Sequence, residues 1–493
     1  MSEREQVTGE ERAGEEGAGE RLWECDATAL AAAVREGRVT AAEVMESHLA
    51  RIAEVNPRVN AVTQPLAAPA REEAAALDAR RAAGEALGPL AGVPFTVKET
   101  TGIEGVPTTF GAVRFKDHVA REDAPGVARL RAAGAVPVGH TNMPTLILAG
   151  VHTRSELYGD TLNPWDARVT PGGTSGGDAA AVASGMAPLG LGNDSGGSVR
   201  LPAVFCGATG LKPTTGRIPA DHRIGPDDPP FASQTLVVDG PLARTVGDLR
   251  AAFEALAGPG ADPRDPRAVP VPTRLAPLAW PPRVGVLADP GGMGVHPDVR
   301  AAVDAAAGAL SDAGYAVEEV ADVPRLEETL DAYGRLVMTE FSGTWPVVRT
   351  LLGEEGHRYI ELGMARTRPV ELAEYLRLVG LRLNIQRDWA RFQEEYPLLL
   401  APVFTEPPME PGLESRDEEG HRRVTTALRL CAATSFVGVP AVALPGGVFG
   451  GLPQGVQVIG RNFREDLCLD AAAEIERRVG RVWGGASSVV LGG

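Results

Sequence analysis

Three times the chain reads apolar strand, helix, apolar strand, and that order constrains its fold more than any other feature. The first instance is VPFTV (93–97), a helical stretch near 123–133 closed by Gly134, and AVPVG (135–139). In the second, Ser175 and two glycines open DAAAVASG, which closes at Gly185 and runs into APLGLG. The third is RVGVLA (283–288), a helix from about Asp298 to Ala313, and YAVEEV (315–320). Strands joined by helices are the grammar of βαβ units, in which each crossover helix covers a sheet face, so an α/β fold is expected. LLLAPVF (398–404) and PAVALPGG (440–447) read as further buried strands, and helical patterns fill 325–395. Ahead of the first unit, Asp26 opens a helix ending at Gly37, and Thr40 caps a second, AAEVMESHLARIAEVN.

Two segments fall outside this grammar. Residues 1–20, rich in Glu and Gly without apolar periodicity, read as a disordered acidic tail, and 258–282, dense in Pro and Asp, as a surface linker. The rest has the composition of a folded globular protein, 44% hydrophobic and 23% charged. No apolar run approaches the roughly 20 residues of a membrane span. The start is acidic where a secretory leader would be basic and then apolar, so a cytoplasmic protein that engages no membrane is expected. A net charge of −17 opposes binding to polyphosphate, which argues against a nucleic-acid partner. Cys25, Cys206, Cys431 and Cys468 are far apart and form no CxxC pair. They predict buried small side chains, not disulfides or a thiolate zinc site.

The chemistry concentrates in residues 171–219, PGGTSGGDAAAVASGMAPLGLGNDSGGSVRLPAVFCGATGLKPTTGRIP. Such glycine density lets backbone N–H groups approach a bound atom, as in a phosphate cradle or an oxyanion hole. GLGNDSG fits a dinucleotide fingerprint poorly and no GxxxxGK[ST] is present, which disfavours the cradle. For an oxyanion hole, Ser195, Gly196, Gly197 and Ser198 offer consecutive N–H donors around a hydroxyl nucleophile. A serine needs a base, and no GxSxG or histidine pattern supplies one. Only three of the 48 basic residues are lysines, Lys98, Lys116 and Lys212. A lysine kept among arginines suits a role that needs loss of a proton. Lys98 ends the apolar run VPFTV, where burial would favour the neutral amine. An ordinary ion pair with Asp or Glu is the competing reading.

These residues resemble the amidase signature family, serine hydrolases of amide bonds with a Ser, cis-Ser, Lys triad. The resemblance rests on GVPFTVKET (92–100), GHTNMP (139–144), NPWD (163–166), PGGTSGGDAAAVASG (171–185), GNDSGGSVRLPAVFCGATGLKPTTGRIP (192–219), and GVPAVALPGG with GLPQGVQVIG (438–460). It implies a large twisted mixed sheet with helices on both faces, spanning residues 21–480. The core would be 60–255 and 398–475, a variable substrate-side region about 325–397, and residues 481–493 a C-terminal tail. It implies Ser198 as nucleophile, Lys98 as base, and Thr174 where the family has its bridging serine, after a cis peptide from Gly173. Ser175 is the rival for that relay, but one residue out of register it more naturally caps the following helix. Asn142 and Met143 would approach the acyl pocket, Asp194 and Arg200 would pair to shape the nucleophile loop, and Lys212 would be structural. His140, Glu99 and Asn193 depart from the family's Lys, Asp and Thr.

The expected activity is hydrolysis of a small-molecule amide to acid plus ammonia or amine, with no cofactor or metal. The alternatives are a glutamine-hydrolysing component of a tRNA amidotransferase, an amide-forming acyltransferase, and a catalytically degenerate scaffold. Oligomeric state is open, a homodimer included.

Overall fold

A computed structural model describes residues 21–482 apart from 149 and 226. The acidic tail 1–20 and residues 483–493 lie outside the described residues. Arg481, placed above in the C-terminal tail, forks onto Asp26 at 2.9 and 3.1 Å.

Thirteen strands are described: β1 (Val62–Pro65), β2 (Pro94–Lys98), β3 (Val136–Thr141), β4 (Arg154–Ser155), β5 (Gly159–Asp160), β6 (Leu189–Asp194) and β7 (Thr209–Lys212), followed by β8 (Val238–Ala243), β9 (Arg283–Val286), β10 (Ala316–Glu319), β11 (Leu398–Pro402), β12 (Ala441–Phe449) and β13 (Leu452–Gly460). Eleven form one sheet in the order β1-β3-β2-β6-β8-β7-β12-β13-β11-β9-β10, and β4 and β5 pair separately. The sheet is mixed. β2 runs parallel to β3 and β6, β9 runs parallel to β10 and β11, and antiparallel pairs join the two blocks.

The three strand-helix-strand readings hold, with crossover helices at Pro125–Ala132, Gly176–Ala183 and Pro297–Asp312. Thr40 caps the helix Ala41–Val59 in a reciprocal box with Glu43. Residues 258–282 contain neither helix nor a strand of the sheets.

Period-two alternation explains why helices cover both sheet faces. On β11, Leu398 and Leu400 join one apolar cluster with Val303 and Leu310 of the helix Pro297–Asp312. Leu399 and Ala401 point the other way, into a cluster with Leu336 of the helix Leu326–Val348 and with Leu378 and Trp389 of the helix Leu372–Glu395. Burying a Leu side chain contributes about 1.5 to 3 kcal/mol, so each strand binds two layers at once.

Candidate active site

β2 and β6 are parallel neighbours, so their carboxyl ends open at the same edge, the place where α/β sheets build sites. Lys98 is the last residue of β2, and the segment Ser195–Val199 leaves the end of β6 for the helix Arg200–Phe205. The third segment, Gly172–Ser175, precedes the helix Gly176–Ala183, and the Gly173–Thr174 peptide is cis. The Ser175 N–H donates to the Ser198 carbonyl at 3.1 Å, which ties the Thr174 segment to the loop carrying Ser198.

Lys98 is fully buried. Its Nζ lies 2.5 Å from Thr174 Oγ1 and 2.7 Å from Asn193 Oδ1. Both partners are neutral, and among the described residues no carboxylate lies within ion-pair distance of Lys98. Burial drives the Lys98 pKa well below the usual lysine value, against the opposing pull of Asp178, Asp194 and Asp239. Asn193 in turn donates from Nδ2 to Thr100 Oγ1 at 2.7 Å, which fixes its Oδ1 toward the lysine.

The nucleophile loop is braced from beneath. Asp194 and Arg200 are fully buried and fork together, Nε to Oδ2 and Nη2 to Oδ1 both at 2.9 Å. Burial alone would raise the Asp194 pKa, but the guanidinium, Lys212 and the Gly197 N–H hold it far below the ordinary carboxylate range. Arg200 also donates to Thr434 Oγ1, Gln457 Oε1, Ser435 Oγ and the Cys431 carbonyl. The pair therefore welds the loop to the helix Arg429–Val437 and to β13. Lys212 is buried with the Pro213 carbonyl as acceptor at 2.9 Å, and burial, then Arg200, pulls its pKa down to about 7.

Several expectations change. The Gly197 N–H is aimed at Asp194 Oδ1, 2.8 Å away, so the donor set expected at Ser195, Gly196, Gly197 and Ser198 shrinks. The N–H groups of Ser195, Gly196 and Ser198 have no backbone or side-chain acceptor among the described residues. The Asn142 side chain is engaged within the protein. Its Nδ2 donates to the Gly159 carbonyl and Thr161 Oγ1, and its Oδ1 accepts from the Met143 N–H and Ser155 Oγ, so the whole amide is spent on loop architecture. Met143 is fully buried beside it. Ser175 occupies the position before the helix but does not cap it. At ψ 38° it lacks the extended backbone of a capping residue, and its hydroxyl reaches the Asn193 carbonyl at 3.4 Å instead.

Two residues were not singled out from the sequence. Tyr333, on the helix Leu326–Val348, donates its hydroxyl to the Ser195 carbonyl at 3.2 Å, and no local signal connects positions so distant in the chain. Asp178 is a fully buried carboxylate in an otherwise Ala-rich helix, a contrast that was legible. A polar cleft of about 1170 Å³, lined by His152, Arg154, Asp160 and Glu355 among others, contains none of Lys98, Thr174 or Ser198. Among the described residues no group of His, Cys, Asp and Glu could hold a metal ion, and no helix is long and apolar enough to cross a membrane.

An α/β sheet with a desolvated lysine and a glycine-rich loop at its strand ends defines the class of protein, an α/β enzyme with its site at the carboxyl ends of the strands. The chain belongs to the amidase family, the amidase signature enzymes, with residues 43–469 matched to that family, and it is an amide hydrolase. It is 38% identical to an indoleacetamide hydrolase of Bradyrhizobium diazoefficiens, over 94% of this chain and 88% of that one. It is 36% identical to a glutamyl-tRNA(Gln) amidotransferase component of Moorella thermoacetica, over 89% and 93% of the two. Among solved structures, a 6-aminohexanoate cyclic dimer hydrolase matches with a TM-score of 0.79 at 31% identity, over 94% of this chain and 99% of the other. A bacterial aryl acylamidase matches with a TM-score of 0.81 at 26% identity, over 95% and 99%.

Proposed function

We propose that this amidase hydrolyses a small carboxylic acid amide through an acyl-enzyme on Ser198, with Lys98 as general base and Thr174 as relay. The observation that carries this reading is the 2.5 Å contact between Lys98 Nζ and Thr174 Oγ1 in a site where burial favours the neutral amine. The Lys98 lone pair takes the Thr174 hydroxyl proton as that oxygen takes the proton of Ser198, and Ser198 Oγ attacks the amide carbonyl. The oxyanion is met by the N–H groups of Ser195, Gly196 and Ser198, each such donor being worth about 2.7 to 4 kcal/mol of barrier. The proton returns along the same relay to the leaving nitrogen, the C–N bond breaks, and ammonia or an amine departs. Water, deprotonated through the same relay, then cleaves the Ser198 ester and releases the acid.

For the substrate we favour a primary amide with an aromatic acyl group. The 38% identical relative is an indoleacetamide hydrolase, and Tyr333 lies against the nucleophile loop. Ammonia release from indole-3-acetamide, phenylacetamide, an anilide and glutamine tests this. Turnover of glutamine alone would overturn it in favour of the amidotransferase reading, which the 36% identical relative supports.

A further inference from the structure

Asp178 is the third residue of the helix Gly176–Ala183 and is fully buried. Its Oδ1 accepts from Thr96 Oγ1 at 2.8 Å, and its Oδ2 is buried with no hydrogen-bond partner. Thr96 and Lys98 are two residues apart on β2, so both side chains leave the same face of the sheet, the face on which Asp178 sits. The approach of the helix depends on Gly190, which pairs with Thr96 across β2 and β6. A Cβ at Gly190 would lie 3.1 Å from both the Asp178 Cβ and Thr96 Oγ1. The sequence thus keeps a glycine where it lets a carboxylate settle against the strand that carries Lys98.

A buried carboxylate without a cation is costly, and burial raises the Asp178 pKa to about 7 against the hydrogen bond from Thr96 and the charge of Lys98, so it is ionised above neutral pH, where the base acts. Asp194, at the end of β6, is forked onto Arg200. Asp239, on β8, pairs with His222 at 2.9 Å. Glu99, which follows β2, accepts from Thr63, Gln64, Thr109 and Tyr158. His140, on β3, is kept neutral by burial. On β7, Lys212 faces Asp194 and Arg200. Lys98 sends its hydrogen bonds to neutral oxygens. Asp239 Oδ2 and Asp178 Oδ2 are both buried without a hydrogen-bond partner, and of the two carboxylates Asp178 is the one bonded to Thr96, on the strand and face that carry Lys98.

We propose that Asp178 is the counter-charge of Lys98, a positioning residue that acts through space on the proton affinity of the base without touching substrate. This rests on the reading of Lys98 as the base. Desolvation alone would make the amine a weak base, and a negative charge beneath it restores part of its strength. An opposite charge at short range shifts such a group by about 1 to 3 pH units.

The test is the pH dependence of kcat/KM, or of the labelling rate with a fluorophosphonate probe, on the purified full chain. Activity requires neutral Lys98 and therefore rises with pH through the lysine titration. Asp178→Asn removes the charge, so the rising limb moves to lower pH by about one unit and the plateau falls several-fold because the base is weaker. Thr96→Val removes a hydrogen bond that favours the charged carboxylate and should move the limb the same way by less, which keeps the test alive if Asp178→Asn does not fold. A limb unmoved in Thr96→Val and in any folded Asp178→Asn, but lost in Lys98→Met, overturns the Asp178 inference alone. A limb that survives Lys98→Met overturns the base reading and this inference with it.

Discussion

Lys98→Arg separates the base from every other role a cation could have here. The guanidinium stays protonated at any working pH, so Arg keeps the charge and loses the lone pair. The slot is tight: Lys98 has no solvent exposure, and its Nζ is held 2.5 Å from Thr174 Oγ1 and 2.7 Å from Asn193 Oδ1. Arg therefore also crowds, and Lys98→Met serves as the control that removes the amine without adding bulk. Loss of a general base costs about 10² to 10⁴ in rate. At about 1.36 kcal/mol per decade that is about 2.7 to 5.4 kcal/mol of transition-state stabilisation. Both variants should show it in kcat at neutral pH, and both should lose the rising pH limb. In the wild type that limb should lie below the unperturbed lysine value of about 10.4, because burial lowers the pKa of Lys98. Thr174→Ser, which keeps the relay hydroxyl, should hold or raise the rate, whereas Thr174→Val should lower it as Lys98→Met does. If Lys98→Arg stays within a few-fold of wild type from pH 7 to 10 and Thr174→Val is equally active, the Lys98–Thr174–Ser198 relay is wrong.

Ser198→Ala should abolish both turnover and fluorophosphonate labelling while leaving the thermal transition in place, because its half-buried hydroxyl makes no hydrogen bond among the described residues; equal labelling of variant and wild type would reject the acyl-enzyme. Asp194→Asn leaves Arg200 buried without its counter-ion and should destabilise the fold by about 3 to 5 kcal/mol in urea unfolding. Lys212 has a folded pKa of about 7 and an unfolded value of about 10.4, so between these values the unfolded chain binds more protons there and its contribution to stability rises with pH. Lys212→Met should remove that part of the slope, as unfolding at pH 7 and pH 9 would show.

The parallel parts of the sheet were legible because β2, β3, β6 and β9 are largely apolar runs flanking helical patterns, and β10 follows a helix closed by Gly314, where periodicity and local breakers agree. β8 was not. VDGPLA carries Asp, Gly and Pro, and it is a strand because β6 and β7 flank it on both sides. Its place in the sheet is a long-range fact that no window of sequence holds. The same division runs through the site. Lys98 and the Ser195–Ser198 loop stood out as a rare residue type and a glycine cluster, while Tyr333 reaches Ser195 from 138 residues away. The Asn142 amide shows the opposite case: in a loop it looks available, but Ser155 of β4, Gly159 of β5, Thr161 and the Met143 N–H take all four of its hydrogen bonds.

The three departures from the family wording near Lys98 act on the surroundings of the proposed base and touch none of the proposed reacting groups. His140 lies beside Val97 in the β2–β3 register, next to the strand end that carries Lys98, and burial keeps its ring uncharged. A second lysine there would place another cation beside the amine and weaken it as a base. Asn193 offers Lys98 an amide oxygen at 2.7 Å where threonine would offer a hydroxyl that can itself donate. An amide oxygen can only accept, so it engages one N–H of the neutral amine and leaves the lone pair free for Thr174. Glu99 reaches across to Gln64 at 2.6 Å and Tyr158 at 3.2 Å, which spends its carboxylate away from Lys98. Each change bears on the same quantity, the supply of an unprotonated lysine facing one hydroxyl. In the proposed relay a threonine can replace serine, because the proton path needs only a hydroxyl oxygen, which either residue supplies.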